Sequence, residues 1–446
     1  MKKDRLLTEG SILPSLLRFA LPMMAGNALQ QIYNIADTLI VGRVIGTQAL
    51  AAVGSAYTLL TFLTSLFIGL CMGSGALFSL NAGAGNRSGM RRDIFLSALF
   101  IGGVTLGLTA VCFLLTEPIL RFMQVRDAVF SLMERYVRII FWGMLFTSLY
   151  NFYAFLLRSI GNSFAPMVWL CAASLLNILL DLLFVVCFDM GVEGAALGTV
   201  LSQALAGIGT ACYALTAYPW LRLTKADLCR DGTRFAAIVK NDVATGLQQS
   251  VMNFGILMIQ GLVNTFGVTV MAAFAVGVKI DTFAYMPAQE FANAYSLFIS
   301  QNCGARKPER VRRGTRLAIL TSVAFCAAAS LAVFIAAPRL IGLFLTNADA
   351  GILAAGTHYL RVEGVLYLGL GILMLLYGYY RGIQRPEISV VLTVVSLGTR
   401  VLLSYLLAPR TPLGVTAIWL SIPTGWVLAD LTGLLLMPWI GGMKEG

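Results

Sequence analysis

Acidic and amide side chains recur along one face of the first apolar segment. Asn27, Gln30, Asn34 and Asp37 follow one another at steps of three and four residues, and Tyr33 lies one turn before Asp37. Residues at these steps share a helix face and form one polar stripe. Contact between helices explains the amides, but a carboxylate in a lipid-facing span costs at least about 2.5 kcal/mol. Asp37 is therefore a candidate cation-binding residue, and Tyr33 is a candidate donor to it.

A second acid lies in the fifth apolar segment. Asn177 and Asp181 are one turn apart, and Thr199 in the sixth segment adds a hydroxyl. Two carboxyls that share a low-dielectric site cannot both stay charged without a partner, so such a site takes up a proton or another cation. Oxygen ligands of this kind suit H⁺ or Na⁺. The residues expected to form the cation-coupling site are Asp37, Tyr33, Asn177, Asp181 and Thr199.

The second half of the chain has a comparable polar stripe, whose first members are Gln249 and Asn253. This stripe contains no acid. Coupling chemistry is therefore expected in the first half. The eighth segment holds Lys279, Asp281 and Glu290, which either pair with one another or line a cavity. Nearby methionine and aromatic side chains suit amphipathic or cationic ligands, although ordinary helix contacts explain any single one of them. The residues expected to line a substrate cavity are Asn34, Asn151, Gln249, Met252, Asn253, Tyr285, Met286 and Glu290.

Helices that cross a membrane must position these side chains. Hydrophobic residues make up 58% of the chain and charged residues 12%, with a mean hydropathy of +0.81, whereas soluble proteins carry about 25% charged residues. One crossing needs roughly 20 apolar residues, so the 446 residues hold about twelve helices with short loops. The sequence predicts an all-α, multi-pass membrane protein whose surroundings are the lipid bilayer.

Lysine and arginine residues gather in alternate loops between the apolar segments. This asymmetry follows the positive-inside rule and predicts that both termini are cytoplasmic, in a bacterial inner membrane. A nucleic-acid footprint would gather on one soluble face instead, so the net charge of +11 does not indicate a nucleic-acid partner.

An internal repeat relates the two halves of the chain. The segment Asn81 to Ala84 recurs as Asn302 to Ala305 at a shift of 221 positions, and Arg158 to Ile160 recurs as Arg381 to Ile383 at a shift of 223. Each half is expected to hold six spans, an even number, so both halves enter the membrane in the same orientation. The sequence thus predicts two six-helix bundles related as parallel repeats.

The expected domains follow from this repeat. An N-terminal lobe at 1–217 and a C-terminal lobe at 240–446 are joined by a basic cytoplasmic linker at 218–239. Alternating access by rocking of two such lobes about a central site is the physical expectation for this plan. The tenth apolar segment, at about 355–380, is expected as one helix, and we expect the protein to be a monomer.

Motifs for enzymatic or metal chemistry are absent from the sequence. It has no GxxxxGK[ST] loop, no HExxH and no GxSxG, so ATP hydrolysis and the corresponding hydrolase reactions are not expected. The single histidine, His358, and the lack of a CxxC pair exclude the usual structural metal motifs. We expect reduced cysteines and no cofactor other than the coupling ion.

Two segments resemble the multidrug and toxic compound extrusion (MATE) family, and the resemblance covers nearly the whole chain. Pro22, the run from Tyr33 to Asp37 and the pair Val41-Gly42 resemble the signature of the family's first helix. The run from Asn302 to Arg306 resembles the loop after its eighth helix. The resemblance implies a MATE/MOP-like fold and export of cationic or amphipathic drugs, dyes and metabolites in antiport with H⁺ or Na⁺.

The resemblance also implies roles for individual residues. Asp37 matches an aspartate that is protonated or joins a cation site, and Pro22 matches a proline at which the first helix bends. Asn177, Asp181 and Thr199 match the cation site of the first lobe. Other branches of the family carry an acid in the seventh helix, where this chain has Gln248 and Gln249 instead. This departure disfavours a coupling site in the second lobe and leaves Glu290 without a role.

Two other functions are compatible with such a fold. A flippase for a lipid-linked oligosaccharide would need basic residues to hold a diphosphate, and Lys279 and Arg400 within the apolar segments keep this alternative open. A membrane receptor or scaffold that transports nothing is disfavoured by the parallel repeats and by the acids inside the spans.

Overall fold

The computed structural model describes residues 6–123, 125, 127–228, 231–344 and 350–437, and these residues form helices and short connections. Two π-helical segments, Val41–Ile45 and Leu182–Cys187, follow α1 and α6 directly. Short 3₁₀ turns lie at Pro219–Leu221, Lys225–Asp227 and Asn264–Phe266. The α-helices are α1 Ile12–Ile40, α2 Thr47–Gly83, α3 Arg87–Leu114, α4 Thr116–Phe122, α5 Asp127–Ser159, α6 Phe164–Asp181, α7 Gly191–Ala217, α8 Gly232–Val263, α9 Val268–Gly304, α10 Pro308–Gly342, α11 Ala350–Gly364, α12 Tyr367–Gly382, α13 Pro386–Leu407 and α14 Val415–Leu436.

The helices are long and apolar enough to span a bilayer. Within the described residues, ten helices meet this criterion, and α11 with α12 gives an eleventh crossing when the bent pair is counted as one span. The 32-residue helix α8 is also long enough to cross, although Lys240, Asn241 and Asp242 make its first half polar. The all-α, multi-pass fold with twelve membrane-spanning helices is therefore confirmed.

The tenth span differs from the single helix that its apolar sequence predicts. It is broken between Gly364 and Tyr367, and the axes of α11 and α12 differ by 52°. Discontinuous helices in transporters leave backbone groups free and often lie beside binding sites.

The repeat seen in the sequence recurs in the backbone. At four turns of the first half one glycine has a positive φ. Residues with a side chain rarely adopt this conformation, whereas glycine tolerates it. The same conformation occurs at the matching turn of the other half, at the same shifts of 221 or 223 positions. The matched pairs are Gly46 with Gly267, Gly85 with Arg306, Gly161 with Gln384, and Gly191 with Gly414.

The helix pairings repeat as well. In the first half α5 packs against α2 and α7, and α6 packs against α7. In the second half α12 packs in the same way against α9 and α14, and α13 packs against α14. Phe67, Tyr136 and Phe141 belong to an apolar core of the first half. Each half thus positions its polar residues on the same frame of six helices.

The chain divides into two compact units, and the division falls inside two helices. One unit contains Leu21–Gly246, and the other contains Leu7–Ala20 together with the residues from Leu247 onward. Within α1 the boundary lies between Ala20 and Leu21, directly before Pro22. Helix α8 starts at Gly232, inside the segment that the sequence assigns to the linker.

The N-terminal segment is held by the end of α9, which carries Asn302, and by the start of α10. Leu7 donates its backbone N–H to Gln301 Oε1 at 2.7 Å, and Asn302 Nδ2 donates to the Leu7 carbonyl at 3.3 Å. The guanidinium of Arg310 donates to the carbonyls of Leu7, Glu9 and Gly10 at 2.7–3.2 Å. These bonds fix the start of α1 within the second unit.

Candidate functional site

Asp37 and Asp181 occupy equivalent places at the ends of two helices of the first unit. Asp37 lies in the last turns of α1, which continues as the π segment Val41–Ile45. Asp181 is the last residue of α6, which continues as the π segment Leu182–Cys187. The two π segments contact each other. Single π turns within α-helices are frequent at functional sites.

The carboxyl groups of Asp37 and Asp181 form the first acid pair. They lie within hydrogen-bonding reach of each other, and Asp181 is fully buried. Neither Asp37 Oδ1 nor either oxygen of Asp181 has a donor among the described residues. Two ionised carboxylates at this separation repel strongly in a medium that screens poorly. The arrangement is stable when a proton or a cation lies between them.

Asn177 and Thr199 add oxygen atoms beside this pair. Asn177 lies one turn before Asp181 and is buried, and its Nδ2 donates to Thr199 Oγ1 at 3.5 Å. The Thr199 hydroxyl donates to the Ala195 carbonyl at 3.0 Å, so one of its two lone pairs remains free to accept. Asn177 Oδ1 has no donor within the described part of the chain. The site is therefore rich in acceptors, which suits a hard cation with oxygen ligands.

Tyrosine hydroxyls surround the first acid pair. Tyr33 pairs with the side chain of Gln30 and lies close enough to both acids to interact with them electrostatically. Tyr136 on α5 approaches the same two acids and is 5% exposed. Sequence reasoning missed Tyr136, because its neighbours along the chain do not indicate an acid nearby; the adjacent Arg135 pairs with Glu193 at a half-exposed position instead.

Metal chemistry of the usual transition-metal type has no support in the described residues. They contain no group of three or more His, Cys, Asp or Glu side chains placed to hold a metal ion. The cysteines among them are free thiols. The first acid pair, with its amide and hydroxyl neighbours, offers oxygen ligands that suit a monovalent cation.

Pro22 lies inside α1, which continues as one helix on both sides of it. Proline has no backbone N–H and cannot donate to the carbonyl of Arg18, so the helix lacks one bond at this point. In the adjoining turn Gly26 contacts Met167 and Leu170 of α6. At the turn that contains Gly26, α1 therefore lies against the helix that carries Asp181.

The residues predicted to line a substrate cavity lie in both units. In the first unit Asn34 and Asn151 are half-buried, and Asn151 Nδ2 donates to the Thr147 carbonyl at 2.8 Å. In the second unit Gln249, Met252 and Asn253 lie on α8, and Tyr285, Met286 and Glu290 lie on α9.

Glu290 has local partners in the second unit. It is buried, accepts from Asn293 Nδ2 at 3.4 Å, and lies in the electrostatic range of Arg381. Arg381 in turn donates to Ser296 Oγ and Asn293 Oδ1 at 3.0 Å each. Arg381 on α12 thus compensates the negative charge of Glu290.

Comparison with known proteins gives a consistent result. The model of the MatE family matches the chain twice, over residues 22–183 and 244–406. The probable multidrug resistance protein YpnP of Bacillus subtilis is 30% identical over 393 residues, which cover 87% of this chain and 86% of that protein. The probable multidrug resistance protein YoeA of the same organism is 26% identical, with 96% and 95% of the two chains covered.

Solved structures share the fold. An outward-facing multidrug resistance MATE family transporter of the MOP superfamily superimposes with a TM-score of 0.92 at 24% identity, covering 100% of this chain and 99% of that one. A crystal structure of MATE in complex with MaL6 gives a TM-score of 0.91 at 24% identity, with 98% and 97% coverage. At this level of identity the likeness establishes the fold alone.

Proposed function

The chain belongs to the MATE family of transporters, and on that premise we propose that it exports cationic or amphipathic small molecules in antiport with H⁺ or Na⁺. As a member of this family it is a transporter and not an enzyme. The observation that carries the proposal is the first acid pair, in which Asp37 Oδ1 and both oxygens of Asp181 are buried and have no donor among the described residues. Such a pair binds a cation reversibly, which is what coupling requires.

The coupling site consists of Asp37, Asn177, Asp181 and Thr199, with Tyr33 beside it. H⁺ would bridge the two carboxyls, whereas Na⁺ would take oxygens from all four of these side chains. Either ion removes the repulsion between the acids. Since Asp37 lies in the last turn of α1 and Asp181 ends α6, occupation of the site changes how strongly these two helix ends attract each other.

Pro22 is proposed as the hinge that converts this local change into movement of α1. The missing hydrogen bond at Pro22 makes bending of the helix less costly there. The boundary between the two compact units, directly before Pro22, supports this position. The cation and the substrate must each favour a different conformation, because a ligand with equal affinity for both conformations shifts neither.

We also propose that the chain is organised as an N-terminal lobe at 1–217 and a C-terminal lobe at 240–446, joined by a linker at 218–239, and that it binds its substrate in a cavity. This cavity would be lined by Asn34, Asn151, Gln249, Met252, Asn253, Tyr285, Met286 and Glu290. We further propose that the protein acts as a monomer in a bacterial inner membrane with both termini in the cytoplasm.

The flippase alternative has less support. Of the two basic residues that would hold a diphosphate, Lys279 is exposed on α9. The other, Arg400, lies in the electrostatic range of Asp281 and Glu363. A guanidinium that already interacts with two acids is a poor binding group for an anionic substrate.

The decisive experiment is flux in proteoliposomes that contain the full chain. Efflux of ethidium, an organic cation, is measured under an imposed pH gradient and then under an imposed Na⁺ gradient, for the unmodified chain, Asp37→Asn and Glu117→Gln. Glu117 pairs with Arg121 on the surface, so its variant removes the same charge away from the site. We expect one gradient to drive flux, Asp37→Asn to abolish it and Glu117→Gln to retain it. Gradient-driven flux that persists in Asp37→Asn would contradict the proposal.

A further inference from the structure

One buried carboxyl group of the first unit takes no part in the proposed coupling site. Asp242 lies in the first half of α8, which belongs to the first unit as far as Gly246. The residue is fully buried, with 0% of its surface exposed. It belongs to the seventh span, whereas Asp37 and Asp181 lie in the first and fifth. A buried acid needs either a partner of opposite charge or a proton.

Glycines bring the backbones of α2 and α8 together around this carboxyl group. A Cβ atom built on Gly69 would lie 2.5 Å from the Gly246 Cα atom. One built on Gly73 would lie 2.7 Å from both the Cα atom and Oδ1 of Asp242. Small residues four positions apart allow two membrane helices to approach this closely. The carboxyl group therefore faces helix backbone on this side, where hydration cannot stabilise a charge.

Ser74 of α2 is the polar partner of Asp242. Its Oγ lies 2.9 Å from Asp242 Oδ1, 2.7 Å from Oδ2 and 2.9 Å from the Oγ of Ser97 on α3. A hydroxyl has one hydrogen to donate and two lone pairs with which to accept, so Ser74 cannot donate to all of these oxygens. The Ser74 N–H also adjoins the carboxyl group, but within α2 it already bonds a carbonyl one turn earlier.

A proton on Asp242 completes these hydrogen bonds. The protonated carboxyl donates to Ser74 Oγ, which frees the Ser74 hydrogen for Ser97 Oγ. Ser74 then accepts one bond and donates one, and the two bonds form a continuous chain. In the ionised form one carboxylate oxygen would have no hydroxyl donor, which is costly for a buried charge.

The surrounding charges do not balance an ionised Asp242. No cation is among the groups that interact with it in the described part of the chain. Arg234, two turns earlier on α8, pairs with Asp93 of α3 at 2.7 Å, and Lys240 is exposed. The remaining titratable neighbour is the buried thiol of Cys71 on α2. A carboxylate at this position would therefore be an uncompensated buried charge.

We propose that Asp242 is a proton-binding site of the first unit, distinct from the first acid pair, and that its protonated carboxyl links α8 to α2 and α3 through Ser74 and Ser97. The ligand is H⁺, because oxygens at hydrogen-bonding distance accommodate a hydrogen between them but not a metal ion. The link lies just before Gly246, where α8 leaves the first unit. Loss of the proton would place a charge against the α2 backbone and weaken this contact, whichever ion couples transport.

Infrared absorption detects this proton directly, because the C=O stretch of a protonated carboxyl differs from that of a carboxylate. Spectra are recorded at neutral pH on the purified full chain in a detergent without ester groups, with an isotope label at the aspartate carboxyl carbon to mark aspartate bands. We expect a protonated-aspartate band that Asp242→Asn lacks and that Asp189→Asn retains. Asp189 is exposed, so its variant makes the same chemical change at the surface. An unchanged set of protonated-aspartate bands in folded Asp242→Asn would overturn the proposal.

Ser74→Ala tests the hydrogen bond that holds the proton. Without the hydroxyl, the protonated carboxyl of Asp242 loses its acceptor, so its C=O band should move to higher wavenumber. Ser79→Ala is the matched control, since Ser79 is buried on the same helix and its Oγ has no partner among the described residues. A band that stays in place in folded Ser74→Ala would overturn the proposal. Because the readout is not flux, a failed efflux experiment would leave this result intact.

Discussion

Gly198 of α7 directly adjoins Asp181. A Cβ atom built on Gly198 would lie 2.6 Å from Asp181 Oδ1, closer than real Cβ contacts allow. Glycine at this position therefore lets the backbone of α7 approach the Asp181 carboxyl on α6. The position of the acid depends on a residue that carries no side chain.

Gly198→Ala tests this dependence. The added methyl group must displace the Asp181 carboxyl, and overpacking of this kind costs about 1–3 kcal/mol. We expect a lower Tm and weaker gradient-driven ethidium flux, because the displaced carboxyl pairs poorly with Asp37. Gly102→Ala in α3 is the matched control, since nothing lies within 4 Å of a Cβ built there. Equal flux in the two variants would show that the close approach is irrelevant to coupling.

Pro22→Ala tests the hinge. Alanine restores the backbone donor to the Arg18 carbonyl and so favours the straight form of α1. We expect a higher Tm together with slower flux, by roughly tenfold if the variant biases the helix by about 1.4 kcal/mol. Pro338→Ala, inside α10, makes the same chemical change elsewhere. Flux in Pro22→Ala at the level of the Pro338→Ala control would argue against a moving hinge.

Asp227 stabilises the connection between α7 and α8. Its Oδ2 accepts from the Thr224 hydroxyl at 2.6 Å, from the Thr224 N–H at 2.9 Å and from Arg91 Nε at 2.9 Å. The Thr224 hydroxyl bond above all, then the bond from the Thr224 N–H and then Arg91, hold the pKa of this carboxyl below its ordinary value. The carboxylate thus ties the connection to the start of α3.

This lowered pKa predicts a pH dependence. When the folded pKa lies below the unfolded one, the stabilising effect is complete above the unfolded value, about 3.9, and is lost as the pH falls through the folded value. We expect Asp227→Asn to lower Tm at neutral pH and to differ less from the unmodified chain below about pH 4. Glu117→Gln serves as the control, because an exposed ion pair contributes little. A Tm difference that does not shrink on acidification would contradict this assignment.

Much of the frame could be predicted from the sequence. The polar stripe that includes Asp37, and the four-residue spacing of Asn177 and Asp181, follow from helical periodicity alone. This periodicity identifies which helix faces are polar. The repeat shifts found from Asn81 and Asn302 also relate the positive-φ turns at Gly85 and Arg306. Local periodicity and repetition carry this information directly.

The remaining features depend on contacts between distant residues. Tyr136 reaches the first acid pair from α5, and nothing in its neighbourhood along the chain indicates this. Asp242 meets Ser74 because α8 packs closely against α2 at Gly73. The apolar run of the tenth span conceals its break. Such relationships follow from packing and not from spacing.

The central claim is that a cation and the substrate bind antagonistically through Asp37 and Asp181. The most direct test is the dissociation constant of ethidium from the purified full chain, measured as H⁺ and then Na⁺ concentration is raised, for the unmodified chain and Asp37→Asn. The account predicts that one ion weakens ethidium binding in the unmodified chain and that Asp37→Asn removes this dependence. Ethidium binding that responds to neither ion, or that responds equally in both proteins, would contradict the account.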